Sequence, residues 1–165
     1  MQITVRGATL VDLPTLKTIL NDAVRYKVSK GDEAWGIESW TDKEVAQVIK
    51  LENTKLVSMA DTIVGCVDLI WEDTYNWGTK LGSDSLAGYI HRLAILSEFK
   101  SKDLGAQIIN WVSTQVASNG RRYIRLDCQS SNTSLCRYYE DQGFKLVSSK
   151  GLRSETTAYY QKPVK

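Results

Sequence analysis

Residues 88–115 read GYIHRLAILSEFKSKDLGAQIINWVSTQ, and the fold turns on how this stretch divides. Tyr89 to Leu96 is a short apolar run interrupted only by His91 and Arg92, the pattern of a strand covered on both faces. Beyond Lys100, Ser101 and Lys102 the apolar residues recur at Ile108, Val112 and Val116, with Ile109 beside them, so the period has moved from two toward ~3.6. The shift predicts a central strand, a loop, and a helix that begins near Leu104. At that junction Gly105 allows close backbone approach, the helix start leaves amide hydrogens unpaired, and lysines stand just ahead. Such a junction favours an anion of phosphate type. An ordinary surface connection with solvated lysines is the alternative, because short glycine patterns recur by chance.

Downstream, Asn119-Gly120 ends the helix and Arg121 to Cys128 reads as a strand, with Ile124, Leu126 and Cys128 on one face and Tyr123, Arg125 and Asp127 on the other. Asn132 caps a short helix carrying Leu135 and Tyr139, Gly143 closes it, Phe144 to Val147 resumes as strand, and Thr156 to Gln161 is the last strand. Upstream, Ile3 and Val5 mark a first strand closed by Gly7. Asp12 and Pro14 open a helix with Leu13, Leu16, Ile19, Leu20 and Val24 on one face. Lys27 to Trp40 is a loop, and the capping box Thr41/Glu44 starts a second helix over Asp42 to about Lys50. Lys55 to Ala60 and Ile63 to Trp71 form a hairpin in which Gly65 suits a bulge. Trp71 to Gly88 reads as a long loop, of the kind more often functional than idle. The order describes an α/β or α+β fold with a sheet covered on both faces.

The 165 residues fit a single domain with one core. Lys+Arg 21 against Asp+Glu 19 leaves +2, so neither nucleic acid nor an anionic membrane is demanded as a partner. Cys66, Cys128 and Cys136 are odd in number and lack C-x-x-C spacing, which indicates reduced thiols and no zinc site or disulfide framework. The N-terminal stretch lacks an apolar run of signal-peptide length, and no segment approaches the ~20 apolar residues of a membrane span. The default compartment is the cytoplasm.

Leu126-Asp127-Cys128, Asn132, Tyr138-Tyr139-Glu140 and Gly143-Phe144 together resemble the GNAT superfamily of N-acetyltransferases, and Leu93-Ala94-Ile95 followed by Lys100 to Gly105 resembles its strand and phosphate loop. The resemblance covers about sixty residues, Gly88 to Val147. It implies one domain over residues 1–165 with a mixed, mostly antiparallel sheet of six to seven strands and about four helices. It also implies acetyl-CoA as co-substrate, no metal, and direct transfer to a primary amine of a small molecule or peptide, and it leaves a homodimer open. Leu93, Ala94 and Ile95 would hold the pantetheine arm. Amides of Ser101, Lys102, Asp103, Leu104, Gly105 and Ala106 would hold the pyrophosphate, with Lys100, Asn132 and Tyr139 also on the coenzyme. One departure is Asp103, which stands where the family usually has its first glycine. A carboxylate there repels phosphate unless it points away or caps its own helix. The departure keeps open a second reading, a non-catalytic acyl-CoA sensor or scaffold.

The reaction implied by the resemblance needs a base, because an amine of pKa ~10.4 is protonated at neutral pH. Asp127 and His91 are the candidates. The other readings are a strand-end carboxylate, solvated or paired with a nearby arginine, for Asp127, and a satisfied, partly buried imidazole for His91. Tyr139 sits where the family places the acid that protonates the departing thiolate; otherwise it is core. Trp35 beside Asp32-Glu33, and Trp71 with Glu72-Asp73 and Trp77, combine aromatic faces with carboxylates in a way that suits a cationic amine, or else are core tryptophans beside solvated acids.

Overall fold

The structure is a computed structural model and describes residues 2–100 and 103–164. Seven strands, β1 (Ile3–Gly7), β2 (Thr54–Met59), β3 (Thr62–Ile70), β4 (Ala87–Ile95), β5 (Tyr123–Gln129), β6 (Lys145–Val147) and β7 (Thr157–Pro163), form one sheet in the order β1-β2-β3-β4-β5-β7-β6. Five helices accompany them: α1 (Leu13–Ser29), α2 (Asp42–Lys50), α3 (Thr74–Gly82), α4 (Leu104–Ser118) and α5 (Thr133–Asp141). The sheet is mixed and mostly antiparallel, with β4 and β5 the parallel pair. Among the described residues no helix is long and apolar enough to cross a membrane.

The residues cluster into two compact units, Met1–Leu69 with Arg92–Ile109, and Ile70–His91 with Asn110–Lys165. In the first unit, β1, β2 and β3 are antiparallel neighbours. The amphipathic faces of α1 and α2 bury Leu16, Ile19, Leu20, Ala23, Val45 and Ile49 against Leu56, Cys66 and Ala94. Each large aliphatic side chain so buried stabilises by about 1.5–3 kcal/mol. The capping box forms as the sequence indicates: Glu44 N–H donates to Thr41 Oγ1 at 3.3 Å and Thr41 N–H to Glu44 Oε2 at 2.7 Å. Asp12, just ahead of α1, is not a side-chain cap. It accepts two bonds from Arg6, at 2.7 and 2.9 Å, and the Arg6 guanidinium holds the carboxyl far below the usual range.

A bulge interrupts the hairpin. Val57 faces Gly65 and Ser58 faces Ile63, so Val64 is the extra residue, and its carbonyl accepts from Leu96 N–H at 2.9 Å. Gly65 is required by space, since a Cβ there would overlap the Ala94 carbonyl. Gly65→Ala is expected to destabilise by about 1–3 kcal/mol through forced backbone movement. A urea midpoint unchanged from wild type would contradict this.

In the second unit, β5 pairs with β7 over seven residues from Tyr123↔Pro163 to Gln129↔Thr157, and with β4 over Ala87, Gly88 and Tyr89. The segment expected as loop contains α3, capped by Asp73 and kinked at Gly78, where φ is 65°. Its residues cover the strand face that carries Arg125. This buried guanidinium donates to Leu81 O at 2.6 Å and Gln161 Oε1 at 2.8 Å, and pairs with Asp84 at 2.8 Å. A buried charge survives when its donors are satisfied in this way.

Candidate active site

Within the first unit, β4 carries an irregularity at Arg92, whose φ is +44°, the left-handed region that side chains seldom occupy. Asp68 on β3 fixes it. The fully buried carboxylate accepts from Arg92 Nε at 2.8 Å and Nη2 at 2.5 Å, and the Cys66 thiol donates to the Arg92 carbonyl at 3.4 Å. Just beyond lie Leu93 and Ile95, half-buried, and Ala94, buried in the core.

A 3₁₀ turn over Ser97–Phe99 follows, anchored because Ser97 N–H and Oγ both donate to Asp22 Oδ2 at 2.8 Å. Lys100 is half-buried with its ammonium 4.1 Å from the Tyr26 ring centre. Burial pushes its pKa down, Asp22 opposes that, and Lys27 adds to it. Ser101 and Lys102, both expected to contact phosphate, lie outside the described residues. Asp103 is exposed at φ +57°, and α4 starts at Leu104, with Gly105 buried and Ala106 half-buried in its first turn. The left-handed backbone at Asp103 explains why a glycine suits this position, and aspartate is among the few other residues that tolerate it.

Asp103→Gly is therefore expected to tighten acetyl-CoA binding, because it removes a carboxylate while keeping the backbone path. Weaker binding by titration calorimetry would contradict this.

The second unit contains a cluster that the sequence showed only in part. Asp73 caps α3, accepting from Asn76 N–H at 3.1 Å and from Asn76 Nδ2 at 3.0 Å, and its other oxygen is 2.9 Å from His91 Nε2. Asp127 completes the group: one ligand atom each from Asp73, His91 and Asp127 lie within 4.8 Å of one another. The two carboxyls are driven apart. Burial pushes Asp73 up, but the bonds from His91 and Asn76 outweigh it and hold Asp73 below its ordinary value. Burial raises Asp127, with His91 opposing and Asp73 adding. Trp77 sits close enough to favour the Asp127 carboxylate, yet neither Asp127 Oδ1 nor Trp77 Nε1 has a hydrogen-bond partner among the described residues.

Asp127 has a folded pKa above its unfolded one, so it contributes stability at low pH that is lost as pH rises through the folded value. Asp127→Asn is accordingly expected to raise Tm at pH 7, with the gain shrinking as pH falls through the carboxylate range. A lower Tm at pH 7 would mean that the charge is compensated.

Tyr139 on α5 is buried, its ring against Tyr138, Phe144 and Tyr160. Burial pushes the phenol up strongly, and Cys128 and Tyr138 add to this. Tyr138, its neighbour in sequence, is the more exposed of the two. Asn132, expected on the coenzyme, uses its side-chain oxygen to cap α5, accepting from Leu135 N–H at 3.2 Å.

Trp77 is 1% exposed, edge-on to Tyr89 and Tyr159, so it is core rather than an acceptor surface. Trp35, in the first unit, already has the Lys27 ammonium 5.4 Å from its ring, and Trp71, in the second, has Arg121 at 5.1 Å. Sequence reasoning missed Asp73 as a partner of His91. The available signal was Asp73 three residues before Asn76, an N-cap pattern inside an apparent loop.

Comparison with known proteins identifies the class to which this strand order belongs. The Acetyltransferase (GNAT) family model matches residues 16–144, and the chain belongs to this family. A curated relative, the uncharacterized N-acetyltransferase YesJ of Bacillus subtilis (strain 168), is 30% identical over 79 residues, which is 48% of this chain and 42% of that protein. The chain thus spans less than half the length of that relative. A GNAT-family acetyltransferase from Listeria monocytogenes 4b F2365 has the same fold at TM-score 0.78 and 24% identity, covering 98% of this chain and 94% of that one. The acetyltransferase AAC(6')-Ib, solved with paromomycin and acetyl-CoA, superposes at TM-score 0.76 and 20% identity, covering 99% and 94%.

Proposed function

We propose that the chain is an acetyl-CoA-dependent N-acetyltransferase that moves an acetyl group directly to a primary amine of a small molecule or peptide. Family membership supports the reaction class, and the Asp73–His91 pair beside Asp127 carries the reading for this chain. An amine needs a proton acceptor before it can attack a thioester. Because Asp73 is held ionised and can only accept, His91 Nε2–H is the donor of that bond, and in the neutral imidazole the lone pair that can take a proton is then on Nδ1.

The residues fit the co-substrate. Asp103 adopts the backbone conformation of a glycine ahead of α4, and the amides opening that 15-residue helix suit phosphate oxygens. Leu93 and Ile95 would present backbone groups to the pantetheine arm, and Lys100 would supply positive charge. The acetyl thioester supplies the electrophile, and Tyr139 would give the departing sulfur its proton. The proposed chemistry uses no metal ion, and the proposed compartment is the cytoplasm. AAC(6')-Ib, which shares the fold, is solved with paromomycin as well as acetyl-CoA, and this supports a small molecule as one class of acceptor.

The test is thiol release from acetyl-CoA across a panel of amines, with the acceptor's mass followed in parallel. Amine-dependent release with acetylated acceptor is the expected result. Coenzyme binding with no turnover across the panel would favour a sensor.

A further inference from the structure

None of the three cysteines is in a disulfide, and two of them touch: Cys128 Sγ on β5 and Cys136 Sγ on α5 are 3.8 Å apart. We propose that Cys128 and Cys136 form a reversible dithiol–disulfide site, a modification site addressed by oxidants of the peroxide class. A disulfide needs the sulfurs at about 2.05 Å, so the pair closes by a further movement of less than ~2 Å, within reach of side-chain rotation.

The backbone between them is already folded back. Asn132 N–H donates to Gln129 O at 3.0 Å, Cys136 N–H donates to Asn132 O at 3.0 Å, and the Asn132 side chain caps the helix, so the reversal that a short bridge requires exists in the reduced state. Access differs between the partners in a useful way. Cys136 is half-exposed, its thiol 3.9 Å from the carbonyls of Gln129 and Ser130 and beside the Tyr160 hydroxyl, whereas Cys128 is buried. Hydrogen peroxide oxidises the Cys136 thiolate to a sulfenic acid, the peroxide being reduced with release of one water. The Cys128 sulfur then attacks that sulfur, the S–S bond forms, and the hydroxyl leaves as a second water with the Cys128 proton. Cys66 is an internal control. It is fully buried in the first unit, its thiol donating to the Arg92 carbonyl, and burial pushes its pKa upward.

The bridge would tie the first turn of α5 to β5, and α5 carries Tyr139 three residues after Cys136. The bridge itself does not depend on the proposed function.

The sequence makes the test simple, because trypsin cleavage after Arg125 and Arg137 releases Cys128 and Cys136 on one peptide, Leu126 to Arg137. After peroxide treatment of the whole protein and alkylation in denaturant, that peptide is expected two hydrogens lighter and unalkylated. Titratable thiols should fall from three to one per chain, Cys66 remaining, and dithiothreitol should restore all three. In Cys136→Ser the peptide is expected to keep an alkylatable Cys128. Three thiols persisting after peroxide would overturn the proposal. So would Cys136 over-oxidised to sulfinic acid beside an alkylatable Cys128.

Discussion

His91→Ala is expected to lower kcat/KM for the amine by about 10²–10⁴-fold while leaving the acetyl-CoA Kd within about twofold. The magnitude is that of removing a positioned proton acceptor. The specificity of the effect comes from the geometry: His91 Nε2 is 2.9 Å from Asp73 Oδ2, and Asp73 is itself tied to the start of α3 through Asn76. His91 is the chain's one histidine, so imidazole added to His91→Ala rescues a single, known vacancy. Turnover within fivefold of wild type would show that water or Asp127 takes the proton. The same geometry constrains pH dependence. The Asp73 carboxyl is held low, so its hold on the imidazole persists at neutral pH and is lost only as pH falls through its depressed folded value.

The second large effect is expected at Tyr139. Tyr139→Phe keeps the ring contacts with Phe144 at 5.7 Å and Tyr160 at 6.2 Å, so stability should change by less than about 1.5 kcal/mol. Turnover should fall by about 10²-fold with acetyl-CoA affinity nearly unchanged, the pattern of an interaction made in the transition state alone. Burial raises this phenol, so it stays protonated across the working range and can donate at every neutral pH, the sulfur taking the proton only as negative charge develops on it. The alkaline limb of the pH–rate profile should accordingly not move in this variant. A variant as fast as wild type would leave Tyr139 as a core residue.

The parts of the fold readable in the sequence are those written in local pattern. The helical faces of α1 and α4, the Thr41/Glu44 box and the Asn132 cap each declare themselves within a few residues, and α2 falls over the residues expected. The helix α3 does not, because Thr74–Gly82 has two glycines, a kink and no apolar period, and it is held by tertiary contacts around Trp77. Five helices therefore stand where about four were expected. The Asp73–His91–Asp127 cluster was legible only as separate residues. His91 and Asp127 were visible as titratable groups on apolar strands, but their meeting with Asp73 depends on the cap of that unrecognised helix. Arg92 at positive φ had no glycine to announce it. Asp68, a lone acid in the run Ile63 to Trp71, was the available sign that a buried charge needed a partner there. Trp77 misled in the other direction, because an aromatic beside acids reads alike whether it faces a ligand or a core.

The coenzyme assignment is tested most directly by amide hydrogen exchange with and without acetyl-CoA. Slowed exchange concentrated in peptides spanning Leu93 to Ala106, and weaker footprinting there for a Lys100→Ala variant, is the result expected. Saturating acetyl-CoA that leaves exchange across Leu93 to Ala106 unchanged would contradict the assignment of this segment to the co-substrate, and with it the proposed acetyl transfer.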